Sequence, residues 1–225
     1  MALLPETIVF DLDGTLVDTA PDLTAALNAV MRAQGRPIVP LEDVRHMVGR
    51  GAQVLIERAM AATGPLPSEA QIDALVRDFI VHYDANISAG SRPFERAEAV
   101  VKSFAARGHR IGICTNKPIA LSLKLLDELN IRSLFPVVLG ADSRPYKKPD
   151  PRHLFDTIAA LGGQADSAVL VGDSETDVKT ARAANVPVVV VSFGYTEIPP
   201  HELGADRVID HFDALEQALS GLTRA

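Results

Sequence analysis

The sequence is short of cysteine and of long apolar runs. Its single cysteine, Cys114, excludes a disulfide within the chain and fits a reducing compartment, so we expect the protein in the cytoplasm. The apolar runs, such as residues 188–191, are far shorter than the roughly 20 residues of a transmembrane helix, so no membrane partner is expected. The first residues, from Met1 to Glu6, lack the basic start and apolar core of a signal peptide.

The sequence also lacks a basic excess. Its 22 Lys and Arg stand against 29 Asp and Glu, for a formal net charge of -7, and they form no basic stripe. Binding to a nucleic-acid backbone needs clustered Lys and Arg, so we expect no nucleic-acid partner. A small anionic substrate needs only a local cationic pocket and is not excluded. The oligomeric state stays open between a monomer and a homodimer.

Short β-branched runs alternate with helical patterns along the chain. Continuous apolar runs are typical of strands covered on both faces, as in a parallel sheet. The repetition of strand and helix therefore predicts an α/β fold with a doubly wound parallel sheet. One helical stripe comprises Leu154, Phe155, Ile158 and Leu161. The predicted strands are residues 8–10, 111–114, 137–139, 169–171, 188–191 and 207–209.

About a hundred residues separate the first two predicted strands, far more than a crossover connection needs. Most of them follow a helical period: Pro21 begins one stripe, and Ser68 with Gln71 resembles a capping box before another. We predict a helical cap of residues 19–90, inserted into an α/β core of residues 1–18 and 91–225. We expect it over the carboxyl edge of the sheet, with hinges near residues 18–21 and 89–93. A helical decoration away from the site is the alternative.

Two carboxylates, those of Asp11 and Asp13, directly follow the first predicted strand. Two residues apart in an extended segment, they face the same side. Such a close pair repels unless a cation lies between them, so the pattern indicates a metal site. Gly14 lets the backbone turn and approach a ligand closely. Taken alone, the motif also fits a strand end capped by acidic turn residues.

Two later segments offer groups suited to an anion. Thr115 and Asn116, at the end of the second predicted strand, present a hydroxyl, an amide and nearby backbone N–H groups to a phosphoryl oxygen. Lys148 lies in a segment that prolines stiffen and can neutralise a phosphate or a carboxylate. The simpler alternatives are a turn with a helix cap for Thr115 and a solvated surface position for Lys148.

A second acidic pair, Asp173 and Asp177, follows the strand at residues 169–171 and shares the amino end of a helix. Acidic helix capping is the alternative. Ligands bind at the carboxyl edge of open α/β sheets, so all these groups are expected in one crevice. Its oxygen-rich character, without a histidine cluster, favours Mg²⁺. The crevice would hold Asp11, Asp13, Thr115, Lys148, Asp173 and Asp177.

These motifs, in this order, resemble the haloacid dehalogenase superfamily of phosphatases. The pattern DxDGT corresponds to residues 11–15, the threonine and lysine motifs to Thr115 and Lys148, and GDSxxD to residues 172–177. Within that superfamily, residues 16–23, 48–52, 115–118 and 210–212 resemble bacterial phosphoglycolate phosphatases, which carry a helical cap after the first strand. One departure is Arg92-Pro93-Phe94-Glu95, where members often have a Pro-Gly pair.

The resemblance implies magnesium-dependent hydrolysis of a small phosphate monoester, with 2-phosphoglycolate the leading substrate. It implies that Asp11 attacks phosphorus to form an aspartyl-phosphate, and that Asp13 acts first as acid and then as base. Magnesium would bind the Asp11 carboxylate, the Asp13 backbone carbonyl and Asp173. The remaining roles are phosphoryl or substrate contact for Thr115, Gly14 and Asn116, charge neutralisation for Lys148, and support of the metal or of Lys148 for Asp177.

Two further residues have competing interpretations. Arg50 lies between glycines at the expected start of a cap helix, where its guanidinium would meet a substrate carboxylate or phosphate. Cys114 lies inside a predicted strand with no histidine nearby in sequence, so we interpret it as structural and not as a nucleophile.

Other functions fit the same scaffold. A sugar-phosphate phosphatase or a nonspecific phosphatase would use the same motifs, and a sugar-phosphate mutase would return the phosphoryl group to a sugar. A dehalogenase would attack carbon without a metal, but superfamily dehalogenases lack the residue corresponding to Asp13. A non-catalytic binding protein on this fold usually loses a motif residue, and none is missing here.

Overall fold

The computed structural model describes residues 4–222, and their strands form two sheets. Six strands make one parallel sheet in the order β5-β4-β1-β6-β7-β8, and β2 pairs with β3 in a separate antiparallel ribbon. The strands are β1 (Thr7–Phe10), β2 (Val17–Asp18), β3 (Arg92–Pro93), β4 (Arg110–Cys114), β5 (Val137–Leu139), β6 (Ala168–Gly172), β7 (Val188–Val191) and β8 (Arg207–Ile209).

Helices connect the strands of the large sheet, except between β7 and β8, where a 3-10 turn takes their place. They are α1 (Ala20–Ala33), α2 (Leu41–Arg45), α3 (Ala52–Thr63), α4 (Glu69–Ala85), α5 (Ala97–Ala106), α6 (Ile119–Glu128), α7 (Pro151–Ala160), α8 (Glu175–Ala184) and α9 (Leu215–Leu219). Short 3-10 turns lie at Arg132–Leu134, Ala165–Ser167, Pro200–Glu202 and Phe212–Ala214. The doubly wound α/β fold predicted from the sequence is confirmed.

The strand order reverses at β1, which lies between β4 and β6. Successive connections run towards β5 on one side and towards β8 on the other, so the crevice beside β1 is the switch point at which open α/β sheets bind ligands. All four residues of β1 are buried, because helices cover both faces of the sheet. The apolar sequence of this strand is therefore explained by its central position.

Helices α1 to α4 occupy the segment between β1 and β4. Helix α4 begins at the predicted capping box, where the Ser68 backbone N–H donates to Gln71 Oε1 at 2.9 Å. The chain enters the helical segment through β2 and leaves it through β3, and these two strands pair with each other. Asp22 makes a second connection between the two ends of the helical segment, since its carboxylate accepts from the backbone N–H groups of Gly90 and Ser91, each at 2.7 Å.

One detail of the predicted helix stripes is wrong. Leu154 and Ile158 of α7 are buried against the sheet, but the neighbouring Phe155 is 40% exposed. Adjacent helix positions point about 100° apart, so Phe155 cannot share the buried face. Among residues 4–222, no helix has the length and apolar composition needed to cross a membrane.

Candidate active site

Four polar segments meet at the carboxyl edge of the large sheet. Asp11 follows β1, Thr115 follows β4 and Asp173 follows β6. Lys148 comes from the loop between β5 and α7. Since β1 is hydrogen-bonded to both β4 and β6, the parallel register brings these side chains into one buried cluster.

The loop after β1 is a tight turn that fixes Asp11. Its Oδ1 accepts the backbone N–H of Leu12 at 2.7 Å. The turn needs Gly14, which has φ of 80°. A Cβ there would lie 2.4 Å from Asp173 Oδ2, so any side chain would collide with the neighbouring carboxylate. In this structure, Gly14 serves close packing of the loop against Asp173.

Lys148 lies between two carboxylates and is almost fully buried. Its Nζ is 2.9 Å from Asp11 Oδ1 and 2.6 Å from Asp177 Oδ1. Burial by itself would lower the pKa of Lys148, but the charges of Asp11 and Asp177 outweigh burial and hold that pKa above its ordinary value. The lysine therefore stays protonated and neutralises part of the acidic cluster.

The Asp177 carboxylate organises the start of α8. Its Oδ2 accepts from Ser174 Oγ at 2.6 Å and from the Ser174 backbone N–H at 3.1 Å, while its Oδ1 holds Lys148. Asp173 is fixed separately: its Oδ1 accepts from Thr15 Oγ1 at 3.0 Å and its Oδ2 from the Tyr195 backbone N–H at 2.6 Å. Loops after β1, β6 and β7 are thus joined through Asp173.

The residues present fit a bound cation. Carboxylate oxygens of Asp11, Asp173 and Asp177 all lie within 4.8 Å of one another, and Lys148 pairs with two of these three buried acids, Asp11 and Asp177. Burial raises the pKa of Asp11 to about 6, against the opposing charge of Lys148. Burial and then the charges of Asp177 and Asp11 raise the pKa of Asp173 well above its usual range. This surplus of buried negative charge, presented entirely by oxygen ligands, suits a hard divalent metal.

A model of the haloacid dehalogenase-like hydrolases matches residues 5–185 of the chain. The chain belongs to this family. It is 50% identical over 207 residues to a phosphoglycolate phosphatase of Caulobacter vibrioides, covering 92% of this chain and 87% of the relative. It is 45% identical over 213 residues to one of Mesorhizobium japonicum, covering 95% and 94%. The crystal structure of a predicted phosphoglycolate phosphatase from Haemophilus somnus matches with a TM-score of 0.89 at 29% identity, over 94% of this chain and 96% of that one.

In this hydrolase, helices α1, α3 and α4 and the loops at the carboxyl edge of the sheet line a cavity of about 50 Å³. The core contributes its polar floor, which includes Asp11, Asp13, Thr115 and Lys117. The helical segment contributes a mostly apolar roof. The helices therefore cover the carboxyl edge of the sheet, whereas a decoration away from the site would leave that edge open.

Thr115 and Asn116 have distinct surroundings in the hydrolase. Thr115 is buried at the cavity floor, and its Oγ1 accepts the Lys117 backbone N–H at 3.2 Å. The Asn116 amide donates to the Lys148 carbonyl at 3.0 Å and to the Gly49 carbonyl of the cap at 3.3 Å. Asn116 thus connects the lysine loop to the cap, a structural task that its motif did not reveal.

The Asp13 side chain is not part of the cluster formed by the carboxylates of Asp11, Asp173 and Asp177. Its Oδ1 lies 3.0 Å from the Nζ of Lys117, and that ammonium is also 2.6 Å from the Tyr83 hydroxyl of α4. Sequence reasoning missed both Lys117 and Tyr83. Lys117 lies within segment 115–118, one of the segments that resemble phosphoglycolate phosphatases, but its ion pair with Asp13 spans 104 positions and depends on how the strands pair.

Tyr195 was also missed. Besides the contact with Asp173, its hydroxyl donates to Asp18 and accepts the Ala20 backbone N–H at 2.8 Å, at the point where α1 begins. Arg45 of the cap lies 2.9 Å from Asp18 and 5.4 Å from the Tyr195 ring centroid. Tyr195 therefore links the acidic cluster to the predicted hinge near residues 18–21.

The two residues with competing interpretations from sequence, Arg50 and Cys114, do not line the cavity. Arg50 is exposed on the loop before α3 and lines a neighbouring surface groove with Ser174 and Glu175, not the cavity beneath the cap. Cys114 is buried within β4, and burial raises the pKa of its thiol to about 12. The thiol is therefore protonated at neutral pH, in keeping with a structural role.

Proposed function

We propose that this hydrolase cleaves 2-phosphoglycolate to glycolate and phosphate through an aspartyl-phosphate on Asp11, with Mg²⁺ as its metal. The observation that supports this most directly is the buried cluster at the sheet edge, in which Lys148 holds Asp11 at 2.9 Å beside the carboxylates of Asp173 and Asp177. Relatives at 50% and 45% identity over almost the whole chain bear the name phosphoglycolate phosphatase, which supports the choice of substrate.

In the first half-reaction, a carboxylate oxygen of Asp11 bonds to phosphorus while the bond from phosphorus to the glycolate oxygen breaks. Asp13 gives its proton to that departing oxygen. In the second half-reaction, Asp13 takes a proton from water, whose oxygen attacks phosphorus and releases phosphate from Asp11. Asp13 lines the same cavity as Asp11, and this supports its role as acid and base.

The remaining site residues bind the phosphoryl group and the metal and orient the catalytic side chains. We assign phosphoryl contacts to Thr115, Gly14 and the backbone of Asn116, whose side-chain amide is engaged with the Gly49 and Lys148 carbonyls. We assign neutralisation of Asp11 to Lys148, and positioning of Lys148 to Asp177. The metal would be held by the carboxylates of Asp11 and Asp173 and by the backbone carbonyl of Asp13. When bound, it supplies positive charge that offsets the repulsion between the nucleophile and the phosphate dianion.

The apolar roof of the cavity favours a small substrate over a sugar phosphate. Leu23, Leu55 and Phe79 offer no hydrogen-bonding side chains, so sugar hydroxyls placed against them would lose their bonds to water without replacement. A sugar-phosphate phosphatase or mutase is therefore a weaker candidate than a phosphatase for a two-carbon ester.

We propose a cap of residues 19–90 on a core of residues 1–18 and 91–225, acting in the cytoplasm as a monomer or homodimer without a nucleic-acid partner. The ribbon between β2 and β3 at both linkers supports the boundaries. Light scattering after gel filtration would decide the oligomeric state.

The test of function is phosphate release from a panel of 2-phosphoglycolate, sugar phosphates, nucleotides, pyrophosphate and an aryl phosphate. We expect a strong preference for 2-phosphoglycolate, lost in EDTA and in Asp11→Asn, and restored best by Mg²⁺ among divalent ions. Broad and weak activity that fails in the same controls would keep the mechanism and reject the substrate. A requirement for a sugar bisphosphate activator would identify a mutase.

A further inference from the structure

The ammonium of Lys117 is the one cationic group among the described residues that line the cavity. Its side chain is 3% exposed and lies 3.0 Å from Asp13 Oδ1. We propose that Lys117, together with the Tyr83 hydroxyl, binds the carboxylate of the substrate and so selects esters that carry a second anionic group next to the ester oxygen. This inference rests on the proposed hydrolysis of 2-phosphoglycolate and names the residues that recognise it.

The donors of this pair are not all used. An ammonium has three N–H groups. Those of Lys117 meet the Asp13 carboxylate, 3.0 Å from Oδ1 and 3.4 Å from Oδ2, and the Tyr83 oxygen at 2.6 Å. When one N–H is shared between the two Asp13 oxygens, a third N–H is left for a ligand. The Tyr83 oxygen accepts from Lys117, and its own proton has no acceptor among residues 4–222. One ammonium N–H and one phenol O–H, side by side, match the two oxygens of a carboxylate.

The position of Lys117 relative to Asp13 suits this substrate. Asp13 must come within hydrogen-bonding distance of the ester oxygen to protonate it. Lys117 is bonded to Asp13, so its Nζ lies one hydrogen bond further along. In 2-phosphoglycolate a single methylene carbon separates the ester oxygen from the carboxyl carbon. When Asp13 is hydrogen-bonded to the ester oxygen, the Nζ of Lys117 is therefore within reach of the substrate carboxylate.

The charges of the cavity make such a receptor necessary. Lys148 is already shared between Asp11 and Asp177, and the cavity roof is apolar. A substrate carboxylate placed there without a cation would be desolvated and unpaired, which is strongly unfavourable. Lys117 is also held rigidly: its carbonyl accepts from Ala141 at 3.0 Å and Pro118 follows it, so little ordering is needed on binding.

The experiment compares 2-phosphoglycolate with ethyl phosphate, in which an uncharged methyl group replaces the carboxylate. In Lys117→Met we expect the ratio of kcat/KM for these two substrates to fall about 100-fold, because a charge-assisted pair is lost for one substrate only. Tyr83→Phe, which keeps the ring, should lower the same ratio about 10-fold. If Lys117→Met acted only by displacing Asp13, hydrolysis of both substrates would slow equally, and the unchanged ratio would contradict the proposal.

Binding without turnover gives a second measurement. 3-Phosphonopropionate replaces the ester oxygen of 2-phosphoglycolate by a methylene group, and propylphosphonate lacks its carboxylate. Wild type should bind 3-phosphonopropionate more tightly, and Lys117→Met should abolish that preference. Retention of the preference in Lys117→Met would overturn the proposal.

Lys124→Met is the matched control. Lys124 lies on α6 and also joins the cap to the core, with its Nζ 2.9 Å from Asp84 Oδ1 of α4, but it does not line the cavity. If Lys124→Met lowered the substrate ratio as Lys117→Met does, cap anchoring and not carboxylate recognition would be responsible. Should wild type itself fail to prefer 2-phosphoglycolate over ethyl phosphate, the proposed function would fail before the Lys117 variants are considered.

Discussion

The core side of the active-site cavity and its cap side differ in chemistry. The core side carries carboxylates, a hydroxyl and an ammonium on loops that follow β1 and β4, whereas the cap side is apolar apart from the hydroxyl of Tyr83. Rigid strand ends place charges to within the tolerance that phosphoryl transfer needs. An apolar helical surface excludes water and limits the size of the substrate. Changes to the buried acidic cluster and to Lys148 should therefore affect every substrate, whereas changes in the cap, and at Lys117 where the core meets it, should alter the choice among substrates.

The largest effect is expected for Lys148→Met, which tests the core side. Removing the ammonium leaves Asp11 and Asp177 buried without their cation. We expect kcat to fall about 1,000-fold on all esters and the free energy of unfolding, measured by urea in EDTA, to fall by about 3 kcal/mol. The exposed neighbour Lys147→Met is the control and should behave as wild type. A loss confined to one substrate would contradict the division between core and cap.

The core should also determine how the free energy of unfolding changes at acidic pH. Burial, and then the charge of Lys148, lowers the pKa of His153 to about 4. The folded protein therefore resists protonation of His153, whereas the unfolded chain takes the proton near pH 6.5, so acidification favours unfolding. Relative to His153→Met, wild type should lose about 2 kcal/mol of unfolding free energy between pH 6.5 and pH 4.

The matched control for that pH series is His82→Gln, which changes an exposed histidine of α4 in the cap. Its unfolding free energy should follow wild type across the same range. Equal pH dependence in wild type and His153→Met would show that another group governs acid unfolding.

A smaller effect is expected where the two sides are joined. Tyr195→Phe removes the hydroxyl that accepts from Ala20 at 2.8 Å and donates to Asp18, while the backbone contact to Asp173 stays. We expect a loss of about 1 kcal/mol in unfolding free energy and a several-fold rise in KM, because the start of α1 is less firmly placed. Tyr146→Phe, which loses a hydroxyl bonded to Asp156 outside the site, should leave KM unchanged.

The smallest effect concerns Arg50 of the cap. Its guanidinium is exposed outside the cavity, so its attraction for an anionic substrate is screened by water. We expect Arg50→Ala to raise KM about five-fold with little change in kcat, and Arg77→Ala, another exposed cap arginine, to do nothing. An unchanged KM for every small ester in Arg50→Ala would remove this residue from the substrate site.

Much of the core could be predicted because its strands and site residues are specified by short stretches of sequence. The apolar runs at β1, β4 and β6 and the polar residues directly after them specify both the strands and the edge at which their side chains meet. Parallel pairing then places Asp11, Thr115 and Asp173 together with no further detail. Phe155 shows where the pattern was misleading, since an apolar residue can flank a buried helix stripe and still face water.

The sequence by itself determined the alternating strands and helices, the long helical insertion and the identity of the acidic residues, because period, spacing and turn chemistry act over a few positions. Only the tertiary structure decided that Lys117 pairs with Asp13 and Tyr83, that Tyr195 joins Asp173 to the start of α1, and that Arg50 lies outside the cavity. Those contacts join segments far apart in the chain. Their geometry depends on how α4 and the loop after β7 pack over the sheet, which no local pattern encodes.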